Sequence, residues 1–382
     1  MTIEEASLQL HEQYQGKIES KSKVPVAGYH DLALAYSPGV AAPCLAIAKD
    51  PKLVDTYTNR ANAIAVVTDG SAVLGLGDIG PKASLPVMEG KAILFKQFAG
   101  LDGVPICLDT KDPEEIIRTV ALIAPGFAGI NLEDISSPRC FEIEQALDAK
   151  LDIPVFHDDQ HGTAIVVLAA LMNALKAVNK TMAQIRVVVS GPGAAGTAIT
   201  KILMASGVKD ILVCDEHGIL TQERKDSAAH KAWLAAHTNP AGVVGDLADA
   251  LVGADVLIGV SVGHIVTGEM VATMNDHAIV FAMANPTPEV DYQVAKAAGA
   301  EVVGTGRSDY PNQINNVLVF PGLFKGTLAI GARTVSTAIM LATAKAIAAS
   351  VPETALSAEH ILPSLFADHA TDNIVQYIEA LP

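Results

Sequence analysis

The stretch Ile185-Arg186-Val187-Val188-Val189-Ser190-Gly191-Pro192-Gly193-Ala194-Ala195-Gly196 decides the fold of this 382-residue chain. Its β-branched run reads as a strand, and it passes directly into a G-x-G-x-x-G turn. A helical pattern over Thr197–Ser206 follows, then a second strand over Asp210–Cys214 that ends in Asp215. Small residues at that turn let backbone N–H groups and the helix N-terminus cradle a pyrophosphate, while Asp215 is placed to accept from ribose hydroxyls. Gly191, Gly193, Ala194, Ala195, Gly196 and Asp215 are therefore the candidate dinucleotide contacts. Asp215 favours NAD because an acid repels a 2′-phosphate. Arg224 and Lys225 nearby offset that preference and keep NADP open.

Further strand-and-helix units continue downstream. Ala254–Val260, Ala278–Ala284 and Glu301–Thr305 read as strands, the second ending at Asn285-Pro286-Thr287. Asn315-Asn316 precedes Val317–Phe320, so Asn285 and Asn315 are expected at strand ends, where neutral amides orient a carboxylate or carboxamide without adding charge. Residues 327–349 read as one long helix and 354–380 as a helical tail.

Upstream, Ala63–Thr68 and Ile106–Asp109 read as buried strands, and Asp112 with Pro113 opens a helix to Ile123. Gly129–Leu132 is a strand ending in Glu133-Asp134, and Ile153–Phe156 is one ending in His157-Asp158-Asp159-Gln160-His161-Gly162-Thr163. In parallel α/β units, strand carboxyl ends share one edge, so the two acid pairs are expected to converge. Adjacent carboxylates repel unless a cation joins them, and an all-oxygen set suits Mg²⁺ or Mn²⁺ rather than zinc. The plainer alternative is a solvated loop with Thr163 capping the next helix. His157 and His161 flank the pair, as hydrogen-bonding neighbours in preference to ligands.

Three other segments matter. Gly75, Gly77 and Gly80 also match G-x-G-x-x-G, but Pro81 closes the stretch and no strand runs straight into a helix. It is expected to let backbone approach a ligand or another segment. Lys91 lies near the start of an apolar helix, either snorkelling or desolvated. Tyr36, in Tyr36-Ser37-Pro38-Gly39-Val40, sits at a turn beside backbone that must bend. An amphipathic helix over residues 4–14 and a small basic patch, Lys17 to Lys23, precede it.

Composition bounds the class. Half of the residues are apolar and few are aromatic, as in an Ala/Val/Ile/Leu-rich α/β protein of two domains. Every long apolar run is broken short of the roughly 20 residues a spanning helix needs. A net charge of −16 opposes a nucleic-acid surface. Four widely spaced cysteines without a CxxC pair suit reduced thiols in a cytoplasm, and no secretory signal pattern opens the chain.

Taken together, Tyr36–Val40, Thr68-Asp69-Gly70, Gly75–Gly80, His157–Thr163, Asn285-Pro286 and Arg307-Ser308-Asp309-Tyr310-Pro311-Asn312-Gln313 resemble the malic enzyme family, in its short bacterial form. The resemblance covers about residues 16–345. It implies an α/β protein with an N-terminal substrate- and metal-binding domain (1–160) and a Rossmann-type, doubly wound nucleotide domain with C-terminal helices (161–382). It implies oxidation of L-malate with NAD(P) and Mg²⁺ or Mn²⁺, decarboxylation of oxaloacetate, release of pyruvate, and a homodimer. By resemblance Lys91 is the general base, which requires a depressed pKa, and Tyr36 is the general acid. Glu133, Asp134 and Asp159 match metal ligands, and Asp158 tunes Lys91 or the metal. Asn285 matches a contact to substrate and nicotinamide, and Asn315 one to substrate. One departure stands out. Larger family members carry an Arg in the turn after Thr-Asp-Gly, whereas here it reads Ser71-Ala72-Val73. This leaves the substrate carboxylate without its usual cation, and a lysine of the basic patch of a partner subunit is one replacement. It also opens one alternative, an oxaloacetate decarboxylase with little oxidation. A reading of a different class is a catalytically degenerate nucleotide-binding regulator, against which the intact set Tyr36, Lys91, Glu133, Asp134 and Asp159 speaks.

Overall fold

A computed structural model describes residues 1–73, 75–224, 228–366 and 369–382. Lys225, named above beside Arg224, lies outside the described residues. The strands are β1 (Ala63–Thr68), β2 (Asp102–Cys107), β3 (Gly129–Leu132), β4 (Val155–His157), β5 (Arg186–Ser190), β6 (Asp210–Asp215), β7 (Gly218–Ile219), β8 (Val256–Gly259), β9 (Ile279–Ala282) and β10 (Val302–Thr305). They form two sheets, ordered β2-β1-β3-β4 and β10-β9-β8-β5-β6-β7, parallel except for the short β6–β7 pair.

In each sheet the chain leaves its first strand to one side and then returns to the other. The order reverses between β1 and β3 in the first sheet and between β5 and β8 in the second. Crevices at such reversals are where open α/β sheets bind ligands. The strands carrying the acid pairs are neighbours, with Leu132 opposite His157. Parallel register therefore delivers Glu133-Asp134 and Asp158-Asp159 to one edge.

One apolar core runs through both halves. The helix Thr163–Ala177 is buried along almost its whole length, since Ala, Ile, Val and Leu cover every face. The helix Phe320–Ala329 packs back on the first half, where Phe95 meets Phe320 and Phe324 edge-on at 4.8 and 5.5 Å.

Several expectations are corrected. The segment 327–349 is two helices, Phe320–Ala329 and Thr337–Ala349, because the chain turns at Gly331 and Ser336 caps a new start by accepting from the Ile339 N–H. Among its described residues, the tail is helical only over Ala370–Glu379. Val317–Phe320 is no strand. Asn315 caps a short 3₁₀ turn over Asn316–Leu318, its side chain accepting from the Val317 N–H. β2 is a half-exposed edge strand rather than a buried one, with Val104 37% exposed. Thr163 caps nothing: its backbone is already helical, because a wide π-type turn over Asp158–Gly162 winds directly into the helix. Lys91 lies in the last turn of its helix, Pro81–Leu94, not near the start.

The first fifty residues stand outside the apolar core. Helices Ile3–Tyr14, Tyr29–Ala35 and Ala41–Lys49 contain no buried residue. The amphipathic pattern of residues 4–14 is present, but its apolar side faces solvent, and Leu8, Tyr14, Tyr29, Leu34 and Leu45 are all exposed.

Candidate active site

The two sheet edges face a single cavity of about 1180 Å³. From the first sheet it is lined by Glu133, Asp134 and Asp159, and from the helix Pro81–Leu94 by Lys91. From the second sheet come Val260 to His264, at the end of β8, and Asn285. Asn315 and Phe320 also line it, Phe320 next to Lys91.

At the acid end, oxygens of Glu133, Asp134 and Asp159 lie within 4.8 Å of one another. The Asp134 N–H donates to Asp159 Oδ2 at 2.7 Å, which ties the two strand ends together. Lys91 Nζ donates to Asp158 Oδ2 at 2.5 Å and stands 2.9 Å from Glu133 Oε1. It also lies 4.0 Å from the Phe320 ring centroid, a cation–π contact. The lysine and Asp158 are both buried.

Burial works against the Lys91 charge, but Asp158 and Glu133 outweigh it, and the pKa is raised above the ordinary lysine value. The expected depression is thus reversed, because two carboxylates meet the amine where sequence showed only apolar neighbours. The acids respond in kind. Burial pushes Asp158 up to about 7, against the pull of Lys91 and with the help of Glu133. Glu133 rises to about 7 for the same reasons, with Asp159 adding to burial. Asp159 is raised to about 6 by burial and by Asp158, although its side chain keeps 35% of its surface open. Lys91, Glu133, Asp158 and Asp159 thus hold their protons tightly until a further cation arrives.

A second carboxylate, Glu144, shapes the turn that bears Asp158 and Asp159. It accepts from the His157 backbone N–H at 2.7 Å, from Gln160 at 3.2 Å, and pairs with His161 Nε2 at 2.9 Å. His161 is thus a tether rather than a ligand. His157 is buried, and loss of water pushes its ring pKa down to about 4. Sequence reasoning missed Glu144, which sits on the helix Arg139–Lys150 with no local signal.

At the nucleotide end, Gly191 and Gly193 lead from β5 into the helix Ala194–Ala205, whose Gly193 cap offers no side chain to its first N–H groups. Ala195 lines the cavity. Asp215 closes β6, and its carboxylate is already occupied. Oδ1 accepts from the His217 N–H and Arg224, both at 2.9 Å, and Oδ2 from Arg224 at 2.7 Å and Lys231 at 2.8 Å. Lys231 was also missed. So was Glu289, which is buried and joins the ends of β8 and β9 by accepting from the Ser261 and Ala284 N–H groups at 2.8 and 3.0 Å. The first glycine stretch serves close approach: a Cβ on Gly75 would stand 1.9 Å from the Asn285 carbonyl oxygen. That position holds Asn285 against the first half of the chain.

Tyr36 is not brought to this site. It is 69% exposed at the end of the helix Tyr29–Ala35 and does not line the cavity. The physical reason is the absence of any apolar burial that would fold the first fifty residues back over it.

Residues 15–148 match the family model for the malic enzyme N-terminal domain, and residues 160–375 match that for the malic enzyme NAD-binding domain. The chain belongs to the malic enzyme family. That family oxidatively decarboxylates malate, and the two-domain α/β architecture above is its fold. Among malic enzyme relatives, the chain is 55% identical to an NAD-dependent malic enzyme of Geobacillus stearothermophilus over 95% of its own length and 76% of the relative's. It is 53% identical to a bifunctional malic/malolactic enzyme of Bacillus subtilis over 96% and 90%. A solved NAD-dependent malic enzyme of Thermotoga maritima superposes with a TM-score of 0.94 at 46% identity, covering 98% of this chain and 99% of the other. Among the described residues, no helix is long and apolar enough to cross a membrane.

Proposed function

We propose that this chain oxidises L-malate with NAD(P) and decarboxylates the product to pyruvate and CO₂, with Mg²⁺ or Mn²⁺ held by Glu133, Asp134 and Asp159. The observation that carries the reading is the buried Lys91–Asp158–Glu133 contact beside that acid triangle, on the same cavity as Asn285 and Asn315. The donor set fits a hard divalent cation: three carboxylates on adjacent strand ends, two of them with raised proton affinity that a cation satisfies equally well. When bound, that cation supplies positive charge that polarises the C2 oxygen and steadies the negative charge left by loss of CO₂.

The residues of the chain then divide the proton work. Lys91 Nζ directs a proton at Asp158 Oδ2 in a 2.5 Å hydrogen bond, and Asp158 binds protons more tightly than an ordinary carboxyl. Passing that proton to Asp158 leaves a neutral amine without changing the net charge. The amine takes the C2 hydroxyl proton as hydride leaves for the nicotinamide. Asn285 and Asn315 orient the substrate through neutral amides, and Asn285 also contacts the nicotinamide. Gly191, Gly193, Ala194, Ala195 and Gly196 cradle the pyrophosphate. Asp215 favours NAD, but its carboxylate is neutralised by Arg224 and Lys231, so NADP is accepted as the weaker substrate. The functional division falls at 160/161, substrate and metal before it and nucleotide after it.

Tyr36 remains the acid that protonates C3, delivered by a second copy. The exposed apolar residues of the first fifty supply the contact surface, and two-fold dimers are the commonest assembly. All four cysteines are free thiols, which supports the cytoplasm.

The deciding assay is reduced-cofactor formation from L-malate with Mn²⁺, using NAD and NADP side by side. Rapid oxaloacetate loss without reduced cofactor would favour the decarboxylase alternative, and neither activity would sink both. Mixing inactive Tyr36→Phe and Lys91→Ala subunits tests the shared site. Recovery of roughly a quarter of wild-type activity per mixed site population is expected for exchanging dimers, and no recovery would place Tyr36 within its own subunit.

A further inference from the structure

The cavity raises a question of charge. The turn Ser71-Ala72-Val73 brings no cation to it, and Lys91 is committed to Asp158 and Glu133. Arg139, which reaches that turn, donates through Nη2 to Asp69 at 2.8 Å and Ser71 Oγ at 2.9 Å and is not on the cavity wall. Among the described residues, Lys17 is the only other Lys or Arg lining the cavity.

Lys17 is held there by built contacts. Its backbone N–H donates to Glu89 Oε2 at 2.9 Å, and its Nζ donates to the Pro86 carbonyl at 2.6 Å. The preceding Gly16 adopts φ +110°, and a Cβ there would stand 3.2 Å from the Glu89 carboxylate, so glycine allows the close docking. Pro86, Gly90 and Lys91 share the cavity-facing side of one helix. The Lys17 ammonium lies 3.6 Å from where a Gly90 side chain would begin. No side chain at position 90 therefore separates it from the Lys91 end. Pro86 takes one of the three ammonium donors, and two remain for an anion.

We propose that Lys17 of the same subunit is the cation that anchors the substrate, binding the carboxylate that is retained in the product. This rests on the malate reading above. The choice of carboxylate follows from the chemistry. The carboxylate that leaves as CO₂ must release its electron pair toward C3, and a cation on it stabilises the ground state and opposes release. Neutral amides such as Asn285 and Asn315 suit that end. The retained carboxylate keeps its charge throughout, so a lysine there binds substrate and product alike without slowing the chemistry.

Uniform binding of that kind appears in KM rather than kcat. Lys17→Met is expected to raise the KM for malate by about 10- to 100-fold, the range for a hydrogen bond to a charged group, with little change in kcat. A readout independent of turnover is calorimetric binding of oxalate to the Mn²⁺-loaded full-length protein. Oxalate affinity should fall by a similar factor in Lys17→Met and recover largely in Lys17→Arg, while Mn²⁺ affinity alone stays unchanged. Unchanged KM and oxalate affinity in Lys17→Met overturn the assignment. Should that variant lose Mn²⁺ binding through misfolding, Lys17→Arg against Lys17→Gln carries the same comparison, and equal oxalate affinities in the two overturn it. A wild-type protein inert toward malate sinks the functional reading instead, so the two failures are distinguishable.

Discussion

The two sheet edges that meet at the cavity are built from opposite materials. The edge of the first sheet is made of charged side chains, packed so closely that Lys91, Glu133 and Asp158 are nearly without water. The edge of the second is made mostly of backbone: glycines, alanines and a helix start, with Asp215 neutralised by Arg224 and Lys231 and Glu289 held by the Ser261 and Ala284 N–H groups. Buried charges depend on one another, and removing one partner leaves the rest uncompensated. Backbone donors depend only on the fold. Single substitutions should therefore be severe at the first edge and graded at the second.

The largest effect is expected at Lys91. Lys91→Ala removes the proton acceptor and should lower the rate of malate oxidation on the order of 10³-fold or more. The metal ligands stay, so Mn²⁺ affinity measured by titration should hold or rise. Near-wild-type turnover would remove Lys91 from the mechanism and erase the contrast between the edges.

Asp159→Ala comes next. Loss of a ligand should weaken Mn²⁺ binding by at least about 100-fold, the upper end of what losing even an outer partner costs. The wild-type affinity should itself depend on pH. Glu133 and Asp159 have folded pKa values raised to about 7 and about 6, so both are protonated at pH 5 and must release protons to bind a cation. Affinity should rise with pH through 5 to 7, by about tenfold per unit for each proton displaced, and level off above. A flat profile over that window would show that the carboxyl groups are already ionised.

How much of this was legible in the sequence depended on how local each signal was. The fingerprint at Gly191 to Gly196 needs only a strand, a turn and a helix in succession, and all three are contiguous. The acid pairs were readable because parallel strands put their carboxyl ends on one edge, whatever the details. The charge state of Lys91 was not, since its neighbours along the helix are apolar and its partner Asp158 lies 67 residues away. Glu144 and Glu289 act through tertiary contacts that no spacing announces. Lys17 was visible only as part of a solvated basic patch until Glu89 and Pro86 docked it on the helix. The place of Tyr36 was not legible for a different reason: a motif fixes the local turn, but the first fifty residues bury nothing within their own chain. The breaks near residues 330 and 360 did carry local signals, Gly331 with the Ser336 cap and Pro363, which the helical pattern around them masked.

The mildest effects should appear at the second edge, in cofactor choice. Burial opposes the Asp215 charge, yet Arg224, Lys231 and the His217 N–H together hold its pKa well below the usual carboxylate value. The carboxylate is thus ionised at any working pH, but two cations share it, and the group as a whole is no longer repulsive to a 2′-phosphate. Arg224→Ala leaves Lys231 and strips one cation, so the repulsion should return in part. The ratio of kcat/KM for NADP to that for NAD should fall by about tenfold, the scale of one charge-assisted contact. Asp215→Asn should move the ratio the other way by freeing both cations for phosphate. The rate with saturating NAD should change little in either variant, since neither group touches the reacting atoms. A change in ratio of the same sign for both substitutions would mean that they act through folding of the β6 end rather than through charge. In that case the second edge would be as interdependent as the first.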